Sequence, residues 1–196
     1  RANKGVNRLL YIVKDLDLLT QLETETTALV KSDFDIVEHV RNVFELLEIR
    51  AAKSNISMEF DKDYLFPIEV HADEERIQQV LTNLIVNSIK YGKKKGTTEI
   101  RFEDIDEDTI KVHIADNGLG ISEEHLPRLF ERFYRVDKAR SRKIGGTGLG
   151  LAIVKHILIK HRAELSIRSD QNKQTIFSIT FPVSDLPAFL FSVLKL

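Results

Sequence analysis

Residues 145–154 of this chain, Gly-Gly-Thr-Gly-Leu-Gly-Leu-Ala-Ile-Val, place a glycine-rich turn directly before an apolar helical pattern. Glycine reaches backbone conformations that other residues avoid, and it lets a ligand approach the backbone closely. A helix that begins near Gly148 leaves its first N–H groups without partners inside the helix. Such N–H groups can bind an anion. A hinge before an ordinary core helix is the alternative interpretation, so the rest of the chain has to decide between the two.

The composition is that of a folded protein with balanced charge. The 196 residues are 42% hydrophobic and 30% charged, which is enough apolar material for a sizeable core. A net charge of -1 argues against nucleic acid as the main partner. The sequence contains no apolar run of about 18 residues, so it predicts no membrane-spanning segment. The absence of cysteine excludes disulfides and fits a reducing compartment. Because the chain starts at Arg1 and not at Met, we expect it to be a piece of a longer protein.

The first 28 residues predict a helix without a core of its own. Apolar residues recur at spacings of three and four along it, at Val6, Leu9, Val13 and Leu16. Further apolar positions widen this stripe, at Leu10, Ile12, Leu19 and Leu22. The helix can fold back on its own domain, or it can belong to a helical bundle completed from outside this chain.

Residues 29–186 alternate between helical and strand patterns, which predicts an α/β module. After a short extended run, Asp35 can cap a helix that continues to about Lys53. Alternation of apolar and polar residues predicts strands at 56–60, 68–71, 98–102, 109–115, 165–169 and 175–181.

A helix after Asp73 carries an unusual polar face opposite its apolar one. Asn83 and Asn87 are four residues apart and therefore lie one above the other, with Lys90 and Tyr91 one turn further on. Asparagine is a poor residue inside helices, so two aligned asparagines invite an explanation. One explanation is a polar face exposed to solvent. The other explanation is a binding site, in which the amide oxygens suit Mg²⁺, Lys90 suits a phosphate and Tyr91 offers a flat surface to a base.

Residues 116–121, Asp-Asn-Gly-Leu-Gly-Ile, follow the predicted strand 109–115. A plain turn accounts for the Asn-Gly pair. A carboxylate at a strand end can also accept a hydrogen bond from an exocyclic amine, and two glycines let a flat ring lie against bare backbone. The second interpretation is one way to bind adenine at Asp116.

The segment that leads into the glycine-rich turn is basic. Ser122 is expected to begin a helical segment, whose apolar side is Leu126, Leu129, Phe130 and Phe133. Only Asp137 opposes the basic residues that follow, which are Arg135, Lys138, Arg140, Arg142 and Lys143. The segment is either a solvated loop or a lid over a polyphosphate.

Four ordered motifs resemble the catalytic, ATP-binding domain of bacterial sensor histidine kinases, a branch of the GHKL ATPase superfamily. Residues 83–91 resemble the asparagine box, residues 116–121 the first glycine box, residues 129–135 the phenylalanine box and residues 146–150 the second glycine box. Each motif alone is weak evidence, whereas the order and spacing of all four are specific. The resemblance covers roughly residues 34–182.

The resemblance implies a set of nucleotide-binding positions. They are Asn83, Asn87, Lys90, Tyr91, Asp116, Gly118, Gly120, Ile121, Phe133, Arg135, Gly146, Thr147, Gly148, Leu149 and Gly150. It also implies their roles. Asn87 would bind Mg²⁺, with Asn83 supporting it directly or through water; Lys90 and Arg135 would contact phosphates. Tyr91 would pack on adenine and Asp116 would accept from its amino group, while residues 134–147 would form the ATP lid.

The implied fold is α+β: a two-layer α/β sandwich with a Bergerat-type ATP site, in which helices cover one face of a mixed sheet, preceded by a long helix. Residues 1–28 would be the second helix of a dimerisation and histidine-phosphotransfer hairpin, and residues 29–186 the catalytic domain. Residues 187–196 form an apolar tail without an assignment.

The implied reaction is transfer of the ATP γ-phosphoryl group to a histidine, with Asn83, Lys90 and Arg135 as the catalytic residues. None of the six histidines is followed by the acidic residue and proline of the family, so we expect a kinase fragment without its phosphoacceptor. The implied partners are a histidine-bearing hairpin of the same full-length protein, which would be a homodimer, and a response regulator. The chain would be the cytoplasmic portion of a membrane-bound sensor kinase. The alternatives are a non-catalytic nucleotide sensor and a hydrolysing GHKL ATPase, although the latter usually has Glu where this chain has Asn83.

Overall fold

The computed structural model describes residues 2–24, 28–106, 109–136 and 146–182. In chain order, its elements are α1 (Ala2–Glu23), β1 (Ser32–Asp35), α2 (Ile36–Ser54), β2 (Ile56–Phe60), β3 (Glu69–Ala72), α3 (Glu74–Tyr91), β4 (Gly96–Asp106), β5 (Thr109–Asp116), a 3₁₀ helix (Glu123–Arg128), α4 (Gly150–Lys160), β6 (Glu164–Asp170) and β7 (Gln174–Pro182). The predicted alternation of helices and strands is therefore confirmed, with shifts of a few residues at the ends.

A five-stranded mixed sheet forms one layer, in the order β2-β4-β5-β7-β6. β2 runs parallel to β4, and the other neighbours are antiparallel. Alternate residues of β5 are buried, among them Ile110, Val112 and Ile114, because only one face of the sheet is covered by helices. The two-layer α/β architecture expected from the sequence is confirmed. β1 and β3 form a separate antiparallel pair beside it.

The helices of the second layer begin where the sequence predicts caps. Asp35 accepts a hydrogen bond from the Val37 N–H at 3.0 Å, and Asp73 accepts one from the Arg76 N–H at 3.1 Å. The apolar face of α3 is fully buried, through Ile77, Val80, Leu81, Leu84, Ile85 and Ile89. Its polar face consequently points away from the core.

Helix α1 folds back on the domain only in its C-terminal half. Leu19 and Leu22 are buried in the common core, and α1 packs along α4. Ile12 and Leu16 are partly buried. The rest of the predicted apolar stripe is exposed, at Val6, Leu9, Leu10 and Val13. The fold-back interpretation is therefore confirmed for the C-terminal half of α1, whereas the N-terminal half presents an exposed apolar face, and its place in a helical bundle stays a prediction.

The prediction of a helical segment with an apolar side from Ser122 to Phe133 is wrong in its length and in its last residue. Between Ser122 and Phe133 the helical part is the 3₁₀ helix Glu123–Arg128, which contains Pro127. Proline has no N–H to continue a helical ladder. Phe133 has a positive φ of 62° and a side chain that is 53% exposed. Likewise, α4 begins at Gly150 and not near Gly148.

Within the parts of the chain that the structure describes, none of the helices combines the length and the apolar character that crossing a bilayer requires. The predicted lid falls largely on residues 137–145, and the apolar tail on residues 187–196. Both ranges lie outside the described residues.

Candidate functional site

A cavity of about 760 Å³ lies between α3, the loop after β5 and the glycine-rich loop before α4. Cavities of this size hold ligands as large as a nucleotide. Twelve of the residues that the sequence singles out line it: Asn83, Asn87, Lys90, Tyr91, Asp116, Gly120, Ile121, Arg135, Gly146, Thr147, Gly148 and Gly150. Gly118, Phe133 and Leu149 do not line it. The fold thus brings motifs from three distant parts of the chain to one opening.

The wall formed by α3 carries the amides. Asn83 and Asn87 lie on the cavity side because the opposite side of the helix is packed into the core. A Cβ placed on Gly150 would lie 3.2 Å from Asn83 Oδ1, so this amide sits directly against the start of α4. Amide oxygens are hard ligands that suit Mg²⁺ together with phosphate oxygens and water. The donor set therefore fits a magnesium ion held in part by a nucleotide.

One end of the cavity is cationic. A Cβ placed on Gly146 would lie 3.4 Å from Lys90 Nζ and 3.7 Å from Arg135 Nη2, so both cations flank the glycine-rich loop. Burial lowers the pKa of Lys90, and the charges of Arg50 and Arg135 lower it further. Positive groups held this close, partly out of water, are an arrangement that an anion such as a phosphate would stabilise.

The end of β5 brings a buried carboxyl group to the cavity. Asp116 is only 8% exposed. Burial raises its pKa to about 6, although the N–H of Gly118, which donates to Asp116 Oδ1 at 2.9 Å, acts in the other direction. A Cβ on Gly118 would lie 2.5 Å from the same oxygen and 2.7 Å from the Tyr91 carbonyl oxygen. Gly118 therefore orients the carboxyl group from behind and does not face the cavity.

Gly120 holds the loop after β5 against the turn between β6 and β7. Its φ is +63°, and an added Cβ would overlap the carbonyl oxygen of Asp170. Next to it, the N–H of Asn172 donates to the Leu119 carbonyl at 2.6 Å. The loop after β5, which lines the cavity, is thus fixed by the turn between β6 and β7.

The phenylalanine box supports the glycine-rich loop through its backbone. The N–H of Phe133 donates to the Gly148 carbonyl at 2.9 Å. Gly148 has a φ of +76°, and a Cβ there would lie 2.9 Å from Phe133 Cα. Leu149 is completely buried, and its N–H donates to Thr147 Oγ1 at 3.2 Å. Phe133 and Leu149 shape the loop without exposing their side chains to the cavity.

Several lining residues carry no signal in the sequence. They are Tyr11 and Asp15 from α1, Arg50 from α2, and Thr175 and Phe177 from β7, among others. The Thr147 hydroxyl donates to Asp15 Oδ2 at 2.9 Å, across 132 positions of the chain. Thr147 belongs to the second glycine box, but Tyr11, Asp15, Arg50, Thr175 and Phe177 lie outside the four motifs, so only the folded arrangement reveals that they line the cavity.

Among the described residues, no group of three or more His, Cys, Asp or Glu side chains could hold a metal ion. The amide oxygens on the α3 wall are therefore the clustered donors that a metal ion could use here, together with oxygens of a bound nucleotide.

Comparison with known proteins gives consistent matches. The model of the family described as histidine kinase-, DNA gyrase B-, and HSP90-like ATPase matches residues 72–185. The sensor histidine kinase YkoH of Bacillus subtilis (strain 168) is 39% identical over 183 residues, which cover 91% of this chain and 36% of YkoH. The chain thus spans little more than a third of that relative.

Two solved structures are similar over almost the whole chain. Full-length ShkA in complex with AMPPNP has a TM-score of 0.81 and 26% identity, and the match covers 94% of this chain and 38% of ShkA. The histidine kinase ThkA in complex with the response regulator protein TrrA has a TM-score of 0.72 and 28% identity, covering 93% of this chain and 49% of that chain.

Proposed function

Because the chain belongs to the family of histidine kinase-, DNA gyrase B-, and HSP90-like ATPases, we propose that it is the ATP-binding catalytic part of a two-component sensor histidine kinase. It would transfer the γ-phosphoryl group of ATP to a histidine on a hairpin that this chain does not contain in full. The similarity to YkoH and to other sensor histidine kinases supports this class of activity.

The observation that carries the proposal is the pairing of unlike groups in one cavity. A buried carboxyl group, Asp116, lines the same cavity as Lys90 and Arg135, which flank the glycine-rich loop. A purine with an amino group and a chain of phosphates needs both an acceptor and cations. Adenine would donate its amino N–H to Asp116, and Tyr91 would pack against the ring.

The reaction needs positioning and charge neutralisation more than acid–base chemistry. A neutral imidazole is already a nucleophile, so the site has to present the γ-phosphorus in line with it. Lys90 and Arg135 would hold the phosphate oxygens, and the loop at Gly146 and Gly148 would approach them through bare backbone. Mg²⁺ held by Asn87, with Asn83 beside it, would supply further neutralisation of phosphate charge.

The family also contains hydrolysing ATPases, which need a base for water. The side chain of α3 that faces the start of α4 is the amide of Asn83. An amide cannot accept a proton from water as a carboxylate does, so Asn83 cannot be the general base. This amide favours phosphoryl transfer over hydrolysis as the function of the cavity.

The remaining assignments follow from the same proposal. Residues 1–28 would be the second helix of the hairpin, and residues 29–186 the catalytic domain, with residues 134–147 as the ATP lid. The partners would be the histidine-bearing hairpin, which makes the full-length protein a homodimer, and a response regulator, in line with the ThkA complex. The working location would be the cytoplasm.

The test is a transfer assay. The chain is incubated with γ-labelled ATP, Mg²⁺ and the hairpin from the full-length protein, and the control hairpin has glutamine in place of its histidine. We expect acid-labile, base-stable phosphate on the first hairpin and none on the second. Nucleotide binding without transfer would leave a non-catalytic nucleotide sensor as the function, and release of free phosphate without transfer would indicate a hydrolase.

A further inference from the structure

Helix α1 contributes a carboxylate to the cavity, next to the glycine-rich loop. Asp15 lines the cavity together with Lys90 and Thr147, and its Oδ2 accepts the hydrogen bond of the Thr147 hydroxyl at 2.9 Å. Thr147 belongs to the glycine-rich loop, whose backbone and hydroxyl face the space where phosphates would lie. The carboxylate of Asp15 is therefore a neighbour of the groups proposed to bind them.

The electrostatic setting of Asp15 agrees with this position. Its pKa is raised, chiefly because burial removes water from the carboxylate, while the Thr147 hydroxyl and the charge of Lys90 act in the opposite direction. Lys90 in turn has its charged form favoured by Asp15. Both side chains line the cavity and their opposite charges attract, so part of the positive field of Lys90 is already neutralised before a ligand binds.

Contacts outside the cavity hold Asp15 in place. Glu23, at the end of α1, pairs with Arg132 and lies 3.4 Å from His156 Nε2 on α4. Leu19 and Leu22 lie between these ion pairs and Asp15 in the sequence, and both are buried in the core. These contacts keep the carboxylate of Asp15 next to Thr147 for as long as α1 is docked.

We propose that Asp15 is a specificity-determining residue of the site: its carboxylate opposes the phosphate chain and competes with it for Thr147 and Lys90. The inference rests on the proposed nucleotide function and deepens it. While α1 is docked, each added phosphate meets this negative charge, so affinity for ATP is lowered more than affinity for ADP, and affinity for adenosine is unaffected. The triphosphate gains its full affinity only when Asp15 leaves Thr147.

The opposite role for a carboxylate at this place is direct coordination of Mg²⁺. The two roles predict opposite changes in the affinity for Mg²⁺-ATP when Asp15 is substituted. Removing a repulsive carboxylate tightens binding of Mg²⁺-ATP, whereas removing a metal ligand weakens it.

The experiment measures dissociation constants of ATP, ADP and adenosine by calorimetry at saturating Mg²⁺ for the chain and for Asp15→Asn. Asparagine keeps an oxygen acceptor for the Thr147 hydroxyl, so the fold is retained, and thermal unfolding checks this. The matched control is Asp17→Asn. Asp17 is exposed on the same helix, outside the cavity lining, where its Oδ2 accepts from the side-chain amide of Gln21.

We expect Asp15→Asn to tighten ATP binding about tenfold, equivalent to about 1.4 kcal/mol, and ADP binding by less. Adenosine binding and every value for Asp17→Asn stay unchanged. Unchanged or weaker ATP binding by Asp15→Asn, or an equal gain for adenosine, would overturn the inference. If the wild-type chain binds none of the three ligands, the proposed nucleotide site itself is overturned. If the wild-type chain binds ATP and Asp15→Asn binds it equally well, only the role of Asp15 is overturned.

Discussion

The imidazole of His161 accepts a hydrogen bond from the backbone N–H of Asp73 at 3.0 Å, although 88 positions separate the two residues. The other ring nitrogen, Nδ1, donates to the Ile157 carbonyl at 2.8 Å, which assigns the neutral tautomer with the proton on Nδ1. Asp73 caps α3, and His161 follows α4. The start of the helix that carries the asparagine box is thereby tied to the end of the helix that follows the glycine-rich loop.

His161→Ala should lower the free energy of unfolding by about 3 kcal/mol, because it leaves a cavity in a buried site and an unpaired N–H on Asp73. Urea unfolding measures the loss. His71→Ala is the control: His71 pairs with Asp33 at 2.7 Å on a partly exposed site, and its loss should cost less than about 1 kcal/mol. Similar losses for both variants would contradict the structural role of His161.

Gly120→Ala should destabilise the domain by about 2 kcal/mol or more. Alanine disfavours the positive φ, and its methyl group would overlap the Asp170 carbonyl, so the loop and the β6–β7 turn have to separate. Gly5→Ala is the matched control, since a Cβ on Gly5 meets nothing within 4 Å and the residue lies inside α1. That change should be neutral or stabilise by about 0.5–1 kcal/mol. Thermal unfolding distinguishes the two; a stable Gly120→Ala would refute the close approach.

Asn87→Ala should remove the Mg²⁺ dependence of ATP binding. In Mg²⁺ the affinity should fall at least about tenfold, because an amide ligand is lost, whereas affinity in EDTA should not change. The control is Gln78→Ala, which removes an amide from the same helix at a position that does not line the cavity. Calorimetry with and without Mg²⁺ checks this, and unchanged affinity of Asn87→Ala in Mg²⁺ would exclude Asn87 as a metal ligand.

ATP affinity should fall as the pH drops through about 6. The pKa of Asp116 lies near that value because the carboxyl group is buried, so at lower pH it is protonated and loses acceptor capacity toward an amino group. Binding should be constant above pH 7. Asp116→Asn should bind more weakly at pH 7 and lack the break near pH 6; a break that persists in this variant would assign the titration to another group.

The same carboxyl group should influence stability in the absence of nucleotide. Its folded-state pKa of about 6 exceeds the ordinary value of 3.8, so the unfolded chain loses the proton first as the pH rises. The stability cost is therefore absent below pH 3.8, grows up to pH 6 and then stays constant at about 3 kcal/mol. Asp116→Asn should unfold at a higher urea concentration than the unaltered chain at pH 7 and at a similar one at pH 4.

Arg50→Gln should weaken ATP binding about three- to tenfold without affecting adenosine, because Arg50 lines the cavity and its charge is felt at Lys90. The difference should shrink at high salt, since Arg50 is exposed and its field is screened. Arg168→Gln, on an exposed position of β6, is the control for the loss of one positive charge. A salt-independent loss, or an equal loss for adenosine, would contradict a phosphate-directed role.

Local periodicity predicted the elements well where one face is buried over its full length. Helix α3 is the best case, because its apolar residues recur with the helical period and its asparagines occupy the opposite side. The strands β4 to β7 were likewise predicted from the alternation of residues that a sheet covered on one face requires. In both cases the pattern is a direct consequence of which side faces the core.

Periodicity failed where the apolar pattern had no single partner. Val13 and Leu19 belong to the same predicted stripe of α1, yet the first is exposed and the second is completely buried. An apolar stripe on a helix indicates that this face can pack against another element. Which part of the α1 stripe is buried depends on how far the neighbouring helix α4 extends. Phe133 departs for a different reason, since its positive φ turns the side chain out of the helical direction.

The sequence by itself determined the order of the elements, the buried faces and the polar residues that the four motifs offer to a nucleotide. Each of these depends on residues close together in the chain, whose spacing dictates their relative direction. Only the tertiary structure decided which distant groups share the cavity. Asp15, Arg50 and Thr147 come from two helices and one loop, which meet through long-range packing. No local pattern encodes a contact such as that between Asp15 and Thr147.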